Sequence, residues 1–175
     1  LAIAEGFQSI VRGTRVAQRN SQDGVSLVQT AEGALSETTA ILQRIRELAV
    51  QAANGTQTDA NRSALNDEVQ QLLAQIDDIA FDTEFNGLNV LSGANTVTLQ
   101  SGAQQGQTLT ITTSGANTTN LGINKVAVSS VKVAVGAIST IDTALQSVST
   151  QRANYGAIQN RLEFTINTHA IQEEN

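Results

Sequence analysis

The sequence predicts a mainly α-helical fold with a small β element: an elongated antiparallel rod of two long helices and one shorter helix, plus a β-hairpin region. Three observations carry that expectation. Apolar or small residues recur at alternating steps of four and three through residues 1–53, and a helical pattern resumes from about residue 128, the signature of long packed helices. Residues 85–124 hold no charged residue and contain short runs alternating with Thr, the pattern of strands. The lengths also conflict with a compact body: helices of this size span roughly 70–80 Å, against a radius of gyration of about 16 Å for a compact domain of this length.

The first helix, residues 1–53, has the seam Ile3, Phe7, Ile10, Thr14, Ala17, Ser21, Gly24, Val28, Ala31, Leu35, Thr38, Leu42, Ile45, Ala49 and Ala52. A second stripe, Leu27, Ala34, Ile41 and Leu48, widens the apolar face, so this half is expected to meet more than one neighbour. Gly13, Gly24 and Gly33 each cost the helix about 1 kcal/mol relative to Ala. Asp23-Gly24 has the composition of a turn, but the four-three register passes through it unshifted. Asn54-Gly55-Thr56 reads as the stop, and Asp59 as the N-cap of a shorter helix over 57–81. The expected seam of that helix is Leu65, Val69, Leu72, Ile76 and Ile79.

The 85–124 region follows, with strands expected at 96–100 and 107–112 around Gly102–Gly106; its uncharged composition also fits a linker. The return helix is expected over 128–172, on Val131, Val135, Ile138, Leu145, Val148, Tyr155, Leu162 and Ile166. Charge is unevenly spread. The first helix is neutral, whereas residues 57–84 carry seven acidic residues against Arg62, and so hold the whole net charge of −6.

Composition excludes several chemistries. Without Cys there is no disulfide, thiol nucleophile or Cys-ligated metal. With one histidine, His169, no multi-His site can form; a helical polar residue is the expected reading. The acidic balance argues against nucleic acid, and no apolar run is long enough to span a membrane. Asp77, Asp78, Asp82 and Glu84 lack the spacing of a calcium loop and read as an acidic helix end. Asn54, Asn61 and Asn117 match the glycosylation sequon but read as chance matches, with Ser and Thr of 92–120 the better O-linked candidates. No cofactor and no enzymatic activity are expected.

Two runs resemble the amino-terminal core of bacterial flagellin: Ser21-Gln22-Asp23-Gly24-Val25-Ser26-Leu27-Val28-Gln29-Thr30-Ala31-Glu32-Gly33-Ala34-Leu35, and Leu42-Gln43-Arg44-Ile45-Arg46-Glu47-Leu48-Ala49-Val50-Gln51. Glu84-Phe85-Asn86-Gly87 is similar to the turn after the family's second helix. Gln151-Arg152-Ala153-Asn154-Tyr155-Gly156-Ala157-Ile158-Gln159-Asn160-Arg161-Leu162 is similar to its carboxy-terminal core.

The resemblance implies the core rod domain of a structural subunit of the flagellar filament, used for motility, secreted and extracellular. The coiled-coil terminal segments of the family are expected to be absent, as are its outer domains, whether by nature or by deletion. For that reason the chain alone is not expected to polymerise. The implied partners are other flagellin subunits, flagellar export chaperones and the flagellin-sensing Toll-like receptor. Carried over by position, the receptor or filament interface is Gln43, Arg44, Glu47, Leu48, Glu68 and Arg152, with Arg44 as the anchor. The acidic short helix is a candidate filament face, with Arg44, Arg46 and Arg152 as candidate partners on another subunit. A cell-surface homologue that binds a polymer or host molecule is the alternative function. A protease-bearing homologue would need a metal motif in 86–128, which is absent, and a hook–filament junction subunit fits the Leu42–Gln51 run less well.

Overall fold

The computed structural model describes residues 2–174, and side chains over 5–173. Its elements are α1 (Ala2–Ala53), α2 (Asp59–Asp82), β1 (Glu84–Phe85), β2 (Leu88–Asn89), β3 (Asn95–Gln100), β4 (Thr108–Thr113) and α3 (Val131–Glu174). At 1.5 Å per residue α1 is roughly 78 Å long and α3 roughly 66 Å. Three ion pairs show that they run antiparallel: Arg15 meets Glu173, Glu32 meets Arg152 and Arg46 meets Asp142. The chain ends therefore lie at one end of the rod, and the α1–α2 turn lies at the other.

The seam of α1 follows the sequence pattern. From Thr14 to Ala52 every position of the four-three register is buried. The hydroxyls of Thr14, Ser21 and Thr38 donate back to the carbonyls of Ile10, Ala17 and Ala34, so these polar seam residues enter the core with their hydrogen bonds made. Gly24 is a close approach, not a turn. A Cβ placed there would sit 2.3 Å from Leu99 Cδ1 on β3 and 3.2 Å from Leu162 Cδ1 on α3. The glycine therefore lets the hairpin and α3 converge on α1 at one level. Nearer the chain ends the seam loses its cover, with Phe7 65% and Ile10 49% exposed; Ile3 lies outside the described side chains.

The second helix corrects the sequence reading in two ways. Its N-cap is Thr58, whose Oγ1 accepts from Asn61 N at 3.2 Å, while Asp59 is the first helical residue, where its charge suits the helix dipole. Its buried stripe is Arg62, Val69, Leu73, Ile76 and Ala80; Leu65, Leu72 and Ile79 are only half-buried shoulders. The sequence places Leu72 and Leu73 side by side, and the apolar count alone favoured the wrong one. Arg62 is buried because α1 ends beside it. Its Nη1 donates to the carbonyls of Ala52 (3.4 Å) and Asn54 (3.3 Å), and its Nη2 to Asp59 Oδ1 (3.3 Å). A cation thus satisfies carbonyls that the helix end leaves open.

Beyond α2 the chain makes two antiparallel hairpins. In β1–β2 the turn residues Asn86 and Gly87 have φ of 51° and 74°, and two positive φ values are what a type I′ turn requires. The Phe85-Asn86-Gly87 turn was legible, but the two-residue strands flanking it were not. In β3–β4, Val97 pairs with Ile111 and Leu99 with Leu109. These apolar residues face the helices, while Thr96, Thr98, Thr108, Thr110 and Thr112 face outward. The following loop docks on α2: Asp77 accepts from Thr118 N and Oγ1, Asn66 accepts from Val128 N, and Gln70 donates to Val126 O.

The return helix starts at Val131 rather than 128, with Ser130 Oγ accepting from Val133 N. Its inward residues are Ala134, Ala137, Ile141, Ala144, Val148, Tyr155 and Leu162. Val131 and Val135, expected in the core, are 39% and 56% exposed, and Ile138, Leu145 and Ile166 are half-buried. Small alanines face α1 here, so the valines are left outside.

Candidate functional site

No group of His, Cys, Asp or Glu among the described residues could hold a metal ion; the interface residues expected from the sequence lie along the helices. Three of the six, Arg44, Glu47 and Glu68, meet where α2 packs on α1. The guanidinium of Arg44 donates through Nε and Nη2 to Glu68 Oε1 (3.0 and 2.8 Å), and through Nη1 to Glu47 Oε2 (3.2 Å). These bonds, that to Glu68 foremost, push the Arg44 pKa up from its ordinary value. Gln43, which precedes Arg44 on α1, is exposed. The cluster presents a charge already fixed by two carboxylates from two helices, a preorganised arrangement for a partner to read.

Arg152 stands apart. It pairs with Glu32 at 3.3 Å, and Glu32 lies twelve residues before Arg44 on α1. At about 100° per residue that separation turns the helix by roughly 120°, so Arg152 and Arg44 sit on different flanks of the rod. Leu48 is fully buried; its side chain belongs to the α1 core and offers no surface in the isolated chain.

The arginines expected to reach another subunit are engaged within this one. Arg46 Nε donates to Asp142 at 2.6 Å, which pushes its pKa up chiefly through that hydrogen bond. Asp77 holds the loop at Thr118. Among the described residues, Asp67, Asp78, Asp82 and Glu84, on and just after α2, are exposed and outside any ion pair, as are Arg12, Arg19 and Arg161; Glu5, Asp23, Glu37, Asp77, Lys125, Lys132 and Glu163 also lack an ion pair. Unpaired charge of both signs therefore lies along the whole rod, and it is residues 57–84 that present one sign, since Arg62 is buried. That concentration was legible in the sequence, but which cations stay outside ion pairs depends on tertiary pairing.

Apolar surface is the other feature. Val131, Val133 and Val135 are exposed at the start of α3, and Phe81 (54%) at the end of α2. At the opposite end, Phe7, Ile10, Val11, Thr14 and His169 line an open groove of about 680 Å³. His169 is buried, its Nε2 2.5 Å from the Ser101 carbonyl; it ties the β3–β4 loop to α3. No helix among the described residues is long and apolar enough to cross a membrane.

A rod whose two longest helices share one continuous seam, with charged and apolar surface left open along its flanks, defines a structural assembly protein. The comparisons carry this to a family. Residues 1–96 match the model for the bacterial flagellin N-terminal helical region. The chain is 41% identical over 192 residues to the 31.3 kDa flagellar filament core protein of Treponema maltophilum, covering 100% of this chain and 67% of that protein. It is 44% identical over 188 residues to a flagellin of Halalkalibacterium halodurans, covering 100% of this chain and 65% of that protein. The crystal structure of Bacillus cereus flagellin aligns with a TM-score of 0.74 at 33% identity, covering 86% of this chain and 88% of that one. The chain belongs to the bacterial flagellin family, whose members are structural components of the bacterial flagellum. It spans about two thirds of the length of these two relatives.

Proposed function

We propose that the chain is the rod core of a flagellar filament subunit, and that lateral contacts set Asp67, Asp78, Asp82 and Glu84 of one copy against Arg12, Arg19 and Arg161 of the next. The one-signed acidic surface of residues 57–84, whose single cation, Arg62, is buried, carries the reading. Such a contact is heterologous: one face meets a different face, so it propagates instead of closing. Each exposed pair is worth only about 0–1 kcal/mol, but a filament repeats the set at every subunit, while the exposed valines of α3 and Phe81 add apolar area. The absence of Cys makes the test clean. Filaments incorporating the chain with Arg19→Cys and Asp78→Cys should form intersubunit disulfides on oxidation. Cross-linking no greater than that of a control pair outside the two patches would reject the pairing.

The Arg44 cluster supports a second proposal, recognition by the flagellin-sensing Toll-like receptor through Gln43, Arg44, Glu47 and Glu68. Arg152 would contribute from a neighbouring flank and Leu48 by holding the helix from within. Binding of the isolated chain to the receptor ectodomain tests it. Export chaperones and secretion to the cell exterior are proposed on family grounds alone.

A further inference from the structure

We propose that Asn54-Gly55 is a site of spontaneous backbone rearrangement, in which the turn between α1 and α2 promotes formation of an isoaspartate that Arg62 then holds. Asn54-Gly55 and Asn86-Gly87 are the two Asn-Gly pairs of the sequence, and the fold treats them differently. At the first, Asn54 Oδ1 accepts a hydrogen bond from Thr56 N at 3.1 Å. The Gly55 N–H donates none, and Gly55 is exposed with nothing within 4 Å of the place a Cβ would take. At the second, Asn86 and Gly87 are held at positive φ by the β1–β2 pairing, and the Asn86 side chain receives no such donor.

The chemistry needs only the chain and water. Gly55 N loses its proton and attacks Asn54 Cγ; the N–Cγ bond forms, the Cγ–Nδ2 bond breaks, and ammonia departs carrying that proton. In the tetrahedral intermediate the negative charge sits on Oδ1, the atom already facing the Thr56 N–H, so the turn supplies an oxyanion donor. Water then opens the resulting imide. Cleavage at Cγ gives aspartate. Cleavage at the former main-chain carbonyl gives isoaspartate, with the chain running through the side-chain carbon and a free carboxylate where the Asn54 carbonyl had been.

That carbonyl is the one that accepts from Arg62 Nη1 at 3.3 Å and from Gln57 N at 3.1 Å. In the folded chain Arg62 has one carboxylate partner, Asp59, whose side chain is 97% exposed, and its buried Nε has no partner. Isoaspartate formation therefore converts a neutral acceptor on a buried guanidinium into a charge-assisted one, and adds one negative charge at the tip of the rod.

The unmodified chain is aged at mildly alkaline pH, folded and in concentrated urea, and peptide mass spectrometry with an isoaspartate-specific methyltransferase assay follows both sites. The proposal expects conversion at Asn54 about fivefold faster in the folded chain than in urea, the scale of one hydrogen bond to the reacting oxygen. It also expects folding to slow conversion at Asn86, and the ratio of isoaspartate to aspartate at position 54 to be higher in the folded chain. Conversion at Asn54 that is no faster folded than unfolded, or no faster than at Asn86, overturns the assignment of the turn. An equal or lower product ratio overturns the role given to Arg62.

Discussion

Replacing Gly24 with Val sets helix propensity against packing. Position 24 lies inside α1, where Val is intrinsically better than Gly by roughly 0.3–0.5 kcal/mol, so propensity alone predicts a more stable chain. Packing predicts the opposite. The first added carbon would fall 2.3 Å from Leu99 Cδ1 and 3.2 and 3.4 Å from the two methyls of Leu162, inside ordinary contact, and Val adds two further methyls beyond it. The half-buried Leu99 has to turn its terminal methyl away from α1, and the Leu162 methyls have no free space to yield, because Leu162 is fully buried. Overpacking of this kind costs about 1–3 kcal/mol, leaving a net loss of roughly 0.5–2.5 kcal/mol. Urea unfolding followed by circular dichroism reads the sum, and amide exchange locates it, with protection falling first across 95–113. A variant with an unchanged or higher midpoint would refute the close-approach account and restore Gly24 to an incidental helix position.

Other perturbations give equally direct readings. Tyr155 is the single tyrosine, 98% buried beside the Ser114 backbone without a well-aligned hydrogen bond. Burial pushes its phenol above the ordinary value, and the Ser114 backbone draws it part of the way back. Because the folded state holds this proton more tightly than the unfolded chain does, its contribution to stability is complete below about pH 10 and is lost as pH rises through the folded pKa. Tyrosinate absorbance should therefore titrate later in the folded chain than in urea; coincident curves would contradict the buried placement. Arg62→Ala should cost about 2–4 kcal/mol, since two helix-end carbonyls lose a buried donor and a cavity opens; a loss no larger than that of an exposed Arg19→Ala control would show the clamp to be idle. Arg44→Ala should weaken binding to the receptor ectodomain about tenfold or more, whereas Arg46→Ala should leave it nearly unchanged; equal affinity for Arg44→Ala and the unaltered chain would remove the receptor proposal.

The legibility of this fold varied with the size of the residues at the helix contacts. Along α1 the seam was readable because Leu, Ile, Val, Ala and Thr keep one register for nearly forty residues, and the single suspect point, Gly24, is explained by what crosses it. Along α3 the same register is present as Ala134, Ala137, Ile141, Ala144 and Val148, but hydrophobicity gave the stripe to Val131 and Val135. Close helix packing there selects side-chain volume over apolarity. On α2 the stripe includes Arg62, buried for the carbonyls it binds, which no apolar pattern can reveal. The interface residues were legible only through family resemblance. Their pairing was not: Arg44 with Glu68, Arg46 with Asp142 and Arg152 with Glu32 join different elements, which no local pattern in the sequence shows.

The central claim is that this rod assembles by setting the acidic surface of α2 against Arg12, Arg19 and Arg161 of a neighbouring copy. A helical reconstruction of filaments that incorporate the chain tests it at the level of side chains. The account predicts density for Asp67, Asp78, Asp82 or Glu84 of one subunit in contact with Arg12, Arg19 or Arg161 of the next, with the internal Arg46–Asp142 and Arg152–Glu32 pairs intact. An α2 whose carboxylates all face solvent would contradict it, as would a filament in which those internal pairs have opened to bridge subunits.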